Sequence, residues 1–124
     1  KCSPIEVYRN LDDRSRDKYL REASYFLQTS HEEGLGLAAL EALSFGKPLI
    51  CSETDGSNEY VDNLITGMKI KQGVNFVSDF CKILLECKNW DYDLMSQNAF
   101  QLFNTKFAFN VSSERLNTII KEIQ

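Results

Sequence analysis

Histidine and tryptophan occur once each in these 124 residues, and proline only twice. With His31 alone, a multi-histidine metal site cannot be assembled. A histidine-based triad is equally excluded, because the adjacency of Ser30 and His31 does not create the geometry a triad requires. Long apolar runs are also missing. A spanning helix needs about 20 mostly apolar residues, and the longest runs here fall far short. The opening residues do not read as a signal peptide. Repeats, low-complexity tracts and linker-like stretches are absent, so the chain reads as one domain or part of one. An excess of positive charge is lacking too: 14 Lys and Arg face 18 Asp and Glu, for a net charge of −4. That excludes a general nucleic-acid binder, which needs a basic face. Small anionic ligands remain open, because a helix start holds phosphate without net positive charge. The four cysteines, Cys2, Cys51, Cys81 and Cys87, have neither CxxC nor Cys/His ligand spacing. Cys51 falls in an apolar strand and Cys81 on a helix face, so buried thiols in a reducing compartment are expected.

What is present is an alternation of short apolar strands and helices. "PIEVY" (4–8) reads as a strand, and "RSRDKYLREA" as a helix placing Tyr19, Leu20 and Ala23 on one face. "SYFLQT" is a second strand, followed by the helix "GLAALEALSF", in which Leu37, Leu40 and Leu43 recur at helical intervals. Gly46 stops that helix and Pro48 opens the strand "PLIC". A loop, "SETDGS", leads to a helical turn over 58–63, and "MKI" (68–70) forms a fourth strand. From Val74 the pattern is helical, with Ser112 or Ser113 expected to cap the last helix. The order β-α-β-α-β-α-β predicts an α/β fold, a Rossmann-like parallel sheet with flanking helices. Ligands of such sheets lie outside the carboxyl ends of the strands, which singles out the loops Ser30–Gly36 and Ser52–Ser57.

The first of these loops carries unusual chemistry. In "SHEEGLGLAALEALSFGKPLIC" (30–51), Gly34 and Gly36 leave no Cβ between a ligand and the backbone amides. The amides around Gly36 and Leu37, with the positive end of the helix dipole, favour a phosphate. Ala38, Ala39 and Ala42 let the helix approach its sheet. Glu41 stands among apolar neighbours, and a carboxylate there must accept hydrogen bonds or be desolvated at a cost of several kcal/mol. Sugar hydroxyls would serve. The residues alone admit a second description, in which Glu33 is a first-turn acid favouring the dipole and Glu41 a half-exposed surface residue.

The longer stretch "SHEEGLGLAALEALSFGKPLICSETDGSNEYV" resembles the C-terminal domain signature of family 4 glycosyltransferases, retaining enzymes of the GT-B fold. Ser30, Glu33, Gly34, Gly36, Glu41, Gly46, Pro48, Gly56, Glu59 and Gly67 stand at matching places. The likeness covers residues 5–75 well and the helical tail loosely. It implies that Glu33 is the catalytic residue that contacts and orients a donor hexose. It further implies that amides at Gly34, Leu35, Gly36 and Leu37 meet the sugar and diphosphate. Glu41 would take the ribose hydroxyls, and backbone groups near Asn10 and Leu11 would read the nucleobase. The implied donor is a nucleotide-diphosphate sugar, a UDP-sugar in preference, with no metal and no cofactor.

The same resemblance implies that residues 1–124 are part of a C-terminal donor-binding domain, the acceptor-binding N-terminal domain lying outside them. An Arg and a Lys that relatives offer the diphosphate have no counterpart here, and position 57 is Ser where many relatives carry a second glycine. On this reading the fragment alone is inactive. The whole enzyme is expected in the cytoplasm, at the inner face of the cell membrane, in bacterial polysaccharide, lipopolysaccharide or O-antigen synthesis. The alternatives are a non-catalytic nucleotide-binding or regulatory module and a glucan synthase or phosphorylase of the same fold. "DYD" (91–93) matches the metal-holding Asp-x-Asp of other glycosyltransferases, but it precedes a helix, where Asp is a cap residue. The phenylalanines 76, 80, 100, 103, 107 and 109 are read as core or interface packing.

Overall fold

A computed structural model describes residues 5–124. Helix α1 (Asp13–Glu22) precedes β1 (Phe26–Gln28), α2 (Leu37–Ser44), β2 (Leu49–Ser52), α3 (Asp55–Tyr60) and β3 (Gly67–Ile70). Three further helices follow, α4 (Phe76–Glu86), α5 (Tyr92–Leu102) and α6 (Phe109–Ile123). The strands form one parallel sheet in chain order β1-β2-β3. Phe26 faces Leu49 in the register, and Leu49 faces Gly67. All four β2 residues are buried, as expected of a central strand covered on both faces.

Each helix boundary has a local cause. Asp12 caps α1 by accepting from Ser15 N at 2.8 Å. The Ser15 side chain first, and then this amide, hold the Asp12 carboxyl below the usual range. Thr54 and Ser57 form a reciprocal capping box at α3, and Asp91 caps α5 by accepting from Leu94 N. The "DYD" motif therefore contributes a helix cap. At the end of α2, Gly46 lies at φ +67°, its amide reaches Leu43 O, and Lys47 N reaches Ala42 O at 3.0 Å. These crossed bonds close the helix in the left-handed turn that glycine favours. Ser96 Oγ then donates to Gly46 O at 2.7 Å, fastening α5 to that turn.

The core lies between α2, the sheet and α5. Ala39, Leu40, Ala42 and Leu43 pack with Leu49, Cys51, Tyr60, Val61 and Ala99, and Phe103 and Phe107 lean on this cluster. Phe100 and Phe109 are exposed, and Phe76 and Phe80 stack on each other with ring centroids 5.8 Å apart.

Several sequence expectations are corrected. Residues Ile5–Tyr8 are not a strand: no backbone ladder reaches them, and Ile5 is 93% exposed. Pro4 lies outside the described residues. The described sheet thus has three strands. Helix α3 begins at Asp55, earlier than the 58–63 turn, because Thr54 supplies a cap. Ser112 and Ser113 sit inside α6, whose first residue is Phe109. Cys81 is exposed while Cys51 is buried; α4 touches β3, but none of its residues is fully buried. Cys2 lies outside the described residues. Leu37 is 72% exposed, although Ala39 and Leu40 of the same turn are buried.

Gly67 is required by contact and not by φ. A Cβ there would stand 2.1 Å from the Leu49 carbonyl oxygen of the neighbouring strand. Gly67→Ala is expected to destabilise the fold by at least about 2 kcal/mol, because the strand must move to admit the methyl group. Urea denaturation checks this, and an unchanged midpoint would contradict it.

Candidate functional site

Because the strands are parallel, the loops after β1 and β2 emerge on the same side of the sheet. Backbone contacts lock them together. Gly56 N donates to Glu33 O at 3.0 Å. A Cβ on Gly56 would lie only 1.8 Å from Gly34 O, so no side chain fits between the loops. Ser52 Oγ donates to Ser30 O in a close contact. Gln72, just past β3, clasps both loops: its Nε2 donates to His31 O at 2.7 Å and to Glu53 O at 2.8 Å.

Glu33 is fixed between these loops and the end of β1. Gln28 Nε2 donates to Glu33 Oε2 at 2.7 Å, and Ser30 Oγ donates to the same oxygen at 3.2 Å. Among the described residues Oε1 receives neither bond, so the carboxylate is oriented with one oxygen free. Gln28 Oε1 is enclosed without a donor. Glu33 and Gly34 border an open cleft of about 580 Å³, with Glu53, Thr54, Asp55 and Gln72 on its other sides. Four acidic residues, Glu32, Glu33, Glu53 and Asp55, and His31 are among its lining, and no lysine or arginine is. Such a lining accepts hydrogen bonds from hydroxyls and repels phosphate.

The start of α2 has the opposite character. Gly36, at φ +69°, is its cap residue and provides no side-chain acceptor. The first intrahelical bond runs from Leu40 N to Gly36 O, so the preceding amides have no partner within the helix. Gly34 has open space where a Cβ would stand, and Leu35 and Leu37 are exposed on either side of Gly36. Gly36 itself is buried, so an anion at this helix start would meet the amides of the exposed residues Leu37 and Ala38.

Behind Gly36 stands Tyr60, buried against it. A Cβ on Gly36 would come within 2.5 Å of the phenolic oxygen. Burial above all, then the proximity of Cys51 and Glu33, pushes the Tyr60 hydroxyl up to about 12. It stays protonated and neutral beside Glu33. Burial likewise pushes the Cys51 thiol up to about 11, against smaller opposing effects of Ser57 and Lys69.

Glu41 lies one turn further along α2 and does not line the cleft. Its side chain is 44% exposed, and its Oε1 lies 3.6 Å from Arg16 Nη2 on α1. Asn10, at φ 54°, and Leu11 are exposed immediately before the α1 cap and are also outside the cleft. The structure thus brings Glu33 and Gly34 together at the cleft, with Gly36 and Leu37 at the neighbouring helix start. Glu41, Asn10 and Leu11 form a separate group joined through α1. Sequence reasoning missed Gln28, Tyr60, Gln72 and Arg16. A polar residue ending an apolar strand could have flagged Gln28; the others carry no local signal.

Comparison with known proteins adds an independent line. The family model described as "Glycosyl transferases group 1" matches residues 4–102. The chain is 29% identical over 139 aligned residues to the alpha-1,3/1,6-mannosyltransferase ALG2 of Dictyostelium discoideum, an alignment covering 96% of the chain and 33% of that protein. It is 26% identical over 125 residues to a sucrose synthase of Melioribacter roseus, covering 94% of the chain and 14% of that protein. The chain therefore spans a third or less of the length of these relatives.

Two outcomes follow from the geometry. Gly36→Ala is expected to cost about 1–2 kcal/mol from the left-handed backbone alone, plus the clash with Tyr60. Adding Tyr60→Phe should return only the second part in urea melts; full recovery, or no initial loss, would contradict the packing described. Iodoacetamide at pH 8 should modify exposed Cys81 readily and Cys51 only on unfolding, as buried protonated thiols are inert. Comparable labelling of both, read by mass spectrometry, would refute the enclosure of Cys51.

Proposed function

The chain belongs to the group 1 glycosyl transferases, and from that premise we propose that it is the donor-binding part of a retaining family 4 enzyme with the GT-B fold. In this reading it moves a hexose from a nucleotide-diphosphate sugar to a saccharide or lipid-linked acceptor. The observation that carries the proposal is the pairing of two unlike environments: the carboxylate-lined cleft at Glu33 and the uncapped amides of α2 beside it. A sugar suits the first and a diphosphate the second, and they are joined in a nucleotide sugar as these sites are joined by Gly34–Gly36.

In this scheme Glu33 is the catalytic residue, orienting the hexose through the oxygen that Gln28 and Ser30 leave free. The amides of Gly34, Leu35, Gly36 and Leu37 stabilise negative charge on the departing diphosphate. Glu41 accepts the ribose hydroxyls, and backbone groups at Asn10 and Leu11 meet the base. The new bond forms on the face from which the nucleotide leaves, so the anomeric configuration is retained. Much of the catalysis is positioning. A UDP-sugar is the preferred donor. The mannosyltransferase relative makes mannose the first hexose to test. The acceptor-binding half is assigned to an N-terminal domain beyond these residues, and this part alone is taken to be inactive. We place the whole enzyme in the cytoplasm, at the inner face of the membrane, in lipopolysaccharide or O-antigen assembly.

Calorimetric titration with UDP, GDP and ADP tests the donor assignment. Saturable binding of UDP or GDP that is lost in Glu41→Ala is the expected result. Indifference to all three would favour a non-catalytic interaction module, and preference for ADP a glucan synthase. In the full-length enzyme, Glu33→Ala should lower turnover by about 100-fold or more while nucleotide affinity changes little. Wild-type turnover would remove Glu33 from the chemistry.

A further inference from the structure

Arg16 is the one cation in contact with a residue of the proposed site, among the described residues. It projects from α1 into a group of three carboxylates. Nη1 lies 3.2 Å from Asp13 Oδ1, and Nη2 lies 3.5 Å from Asp17 Oδ1 and 3.6 Å from Glu41 Oε1. Nε is enclosed without an acceptor, so the two outer nitrogens alone place the guanidinium. A rigid fork suits this task better than a point charge, because each outer nitrogen has a fixed direction.

Two features make the pair with Glu41 more than a surface contact. First, Asp17 and Glu41 share the same nitrogen, so without Arg16 these like charges would face each other and repel. Glu41 would then turn outward to solvent. Second, α1 starts immediately after Asn10 and Leu11, and Arg16 N is itself bonded to Asp12 O at 3.0 Å. The Arg16–Glu41 pair is therefore a side-chain tie between the segment assigned to the base and the helix that carries the carboxylate assigned to the ribose.

Resting on the assignment of Glu41 to the ribose, we propose that Arg16 is a positioning residue that sets ribose selectivity. It holds Glu41 Oε1 and leaves the second carboxylate oxygen to accept a sugar hydroxyl. It also fixes the separation between the base segment and that oxygen. Both partners are about 44% and 43% exposed, and pairs of that kind contribute little to stability. Its loss should consequently be felt in ligand choice and not in folding.

The experiment is calorimetric titration of the full protein with UDP and 2′-deoxy-UDP, or with GDP and 2′-deoxy-GDP where GDP is the nucleotide bound, for wild type, Arg16→Gln, Arg16→Lys, Glu41→Gln and the Arg16→Gln/Glu41→Gln pair. Wild type is expected to prefer UDP by roughly tenfold or more, the range of a hydrogen bond to a charged group. Arg16→Gln should bring the preference to within roughly threefold, Arg16→Lys should restore part of it, and the double variant should match Glu41→Gln. Thermal midpoints of the Arg16 variants should stay within a few degrees of wild type. If Glu41→Gln loses the preference while Arg16→Gln keeps it, the positioning role is overturned and the ribose assignment stands. If Glu41→Gln keeps the preference, or neither UDP nor GDP binds, the ribose assignment falls and takes this role with it.

Discussion

Gly56 gives its amide hydrogen to the Glu33 carbonyl, and the arrangement of the site follows from that contact. Gly56 lies in the first turn of α3, where backbone donors have no partner within the helix. The loop after β1 satisfies this one, and the Thr54–Ser57 box satisfies others. Helix α3 is thus closed by its neighbours, whereas α2 begins at a glycine with no side-chain acceptor. Two helix starts stand at the same end of the sheet, and only that of α3 is capped by side chains and a neighbouring loop. The bond from Gly56 N to Glu33 O fixes the backbone of Glu33 beside the start of α3.

Charge is distributed to match. A net charge of −4 gives no reason to expect affinity for a phosphorylated ligand, and the cleft at Glu33 is more acidic still. Yet the open amides of α2 need no side-chain charge to attract an anion. Hydroxyl-rich and phosphate-rich parts of one molecule can therefore be sorted by local environment although the molecule as a whole is repelled. Tyr60 belongs to the same pattern: burial keeps its hydroxyl neutral, so the wall behind Gly36 adds no further negative charge.

Much of this was legible in the sequence because it depends on residues close along the chain. Helix α2, its stop at Gly46 and the strand opened by Pro48 follow from periodicity and from glycine and proline chemistry. The loops after β1 and β2 were located by the parallel topology alone. What escaped depends on partners far apart in the chain. Gln72 reaches His31 across 41 positions and Cys81 falls on the exposed side of α4, neither of which has a local signature. The segment Ile5–Tyr8 reads as a strand by composition, but a strand exists only where a neighbour completes its ladder. Leu37 shows the limit of helical periodicity: it repeats correctly with Leu40 and Leu43 and still faces solvent. The residue-level roles of Glu33, Glu41, Asn10 and Leu11 came from family resemblance, and they stand as proposals.

Strand β2 joins two regions usually treated apart. Its residues Leu49 and Ile50 are at the centre of the packed interior, and two positions on, Ser52 touches the Ser30 carbonyl. A close-packed interior resists compression and passes small displacements along rigid elements. The strand therefore behaves like a short stiff rod with one end set in the core and the other under the loops after β1 and β2. Natural drift at Leu49 or Ile50 would be felt at the rod's far tip, so evolutionary freedom deep in this sheet is curtailed by the demands of the surface it supports.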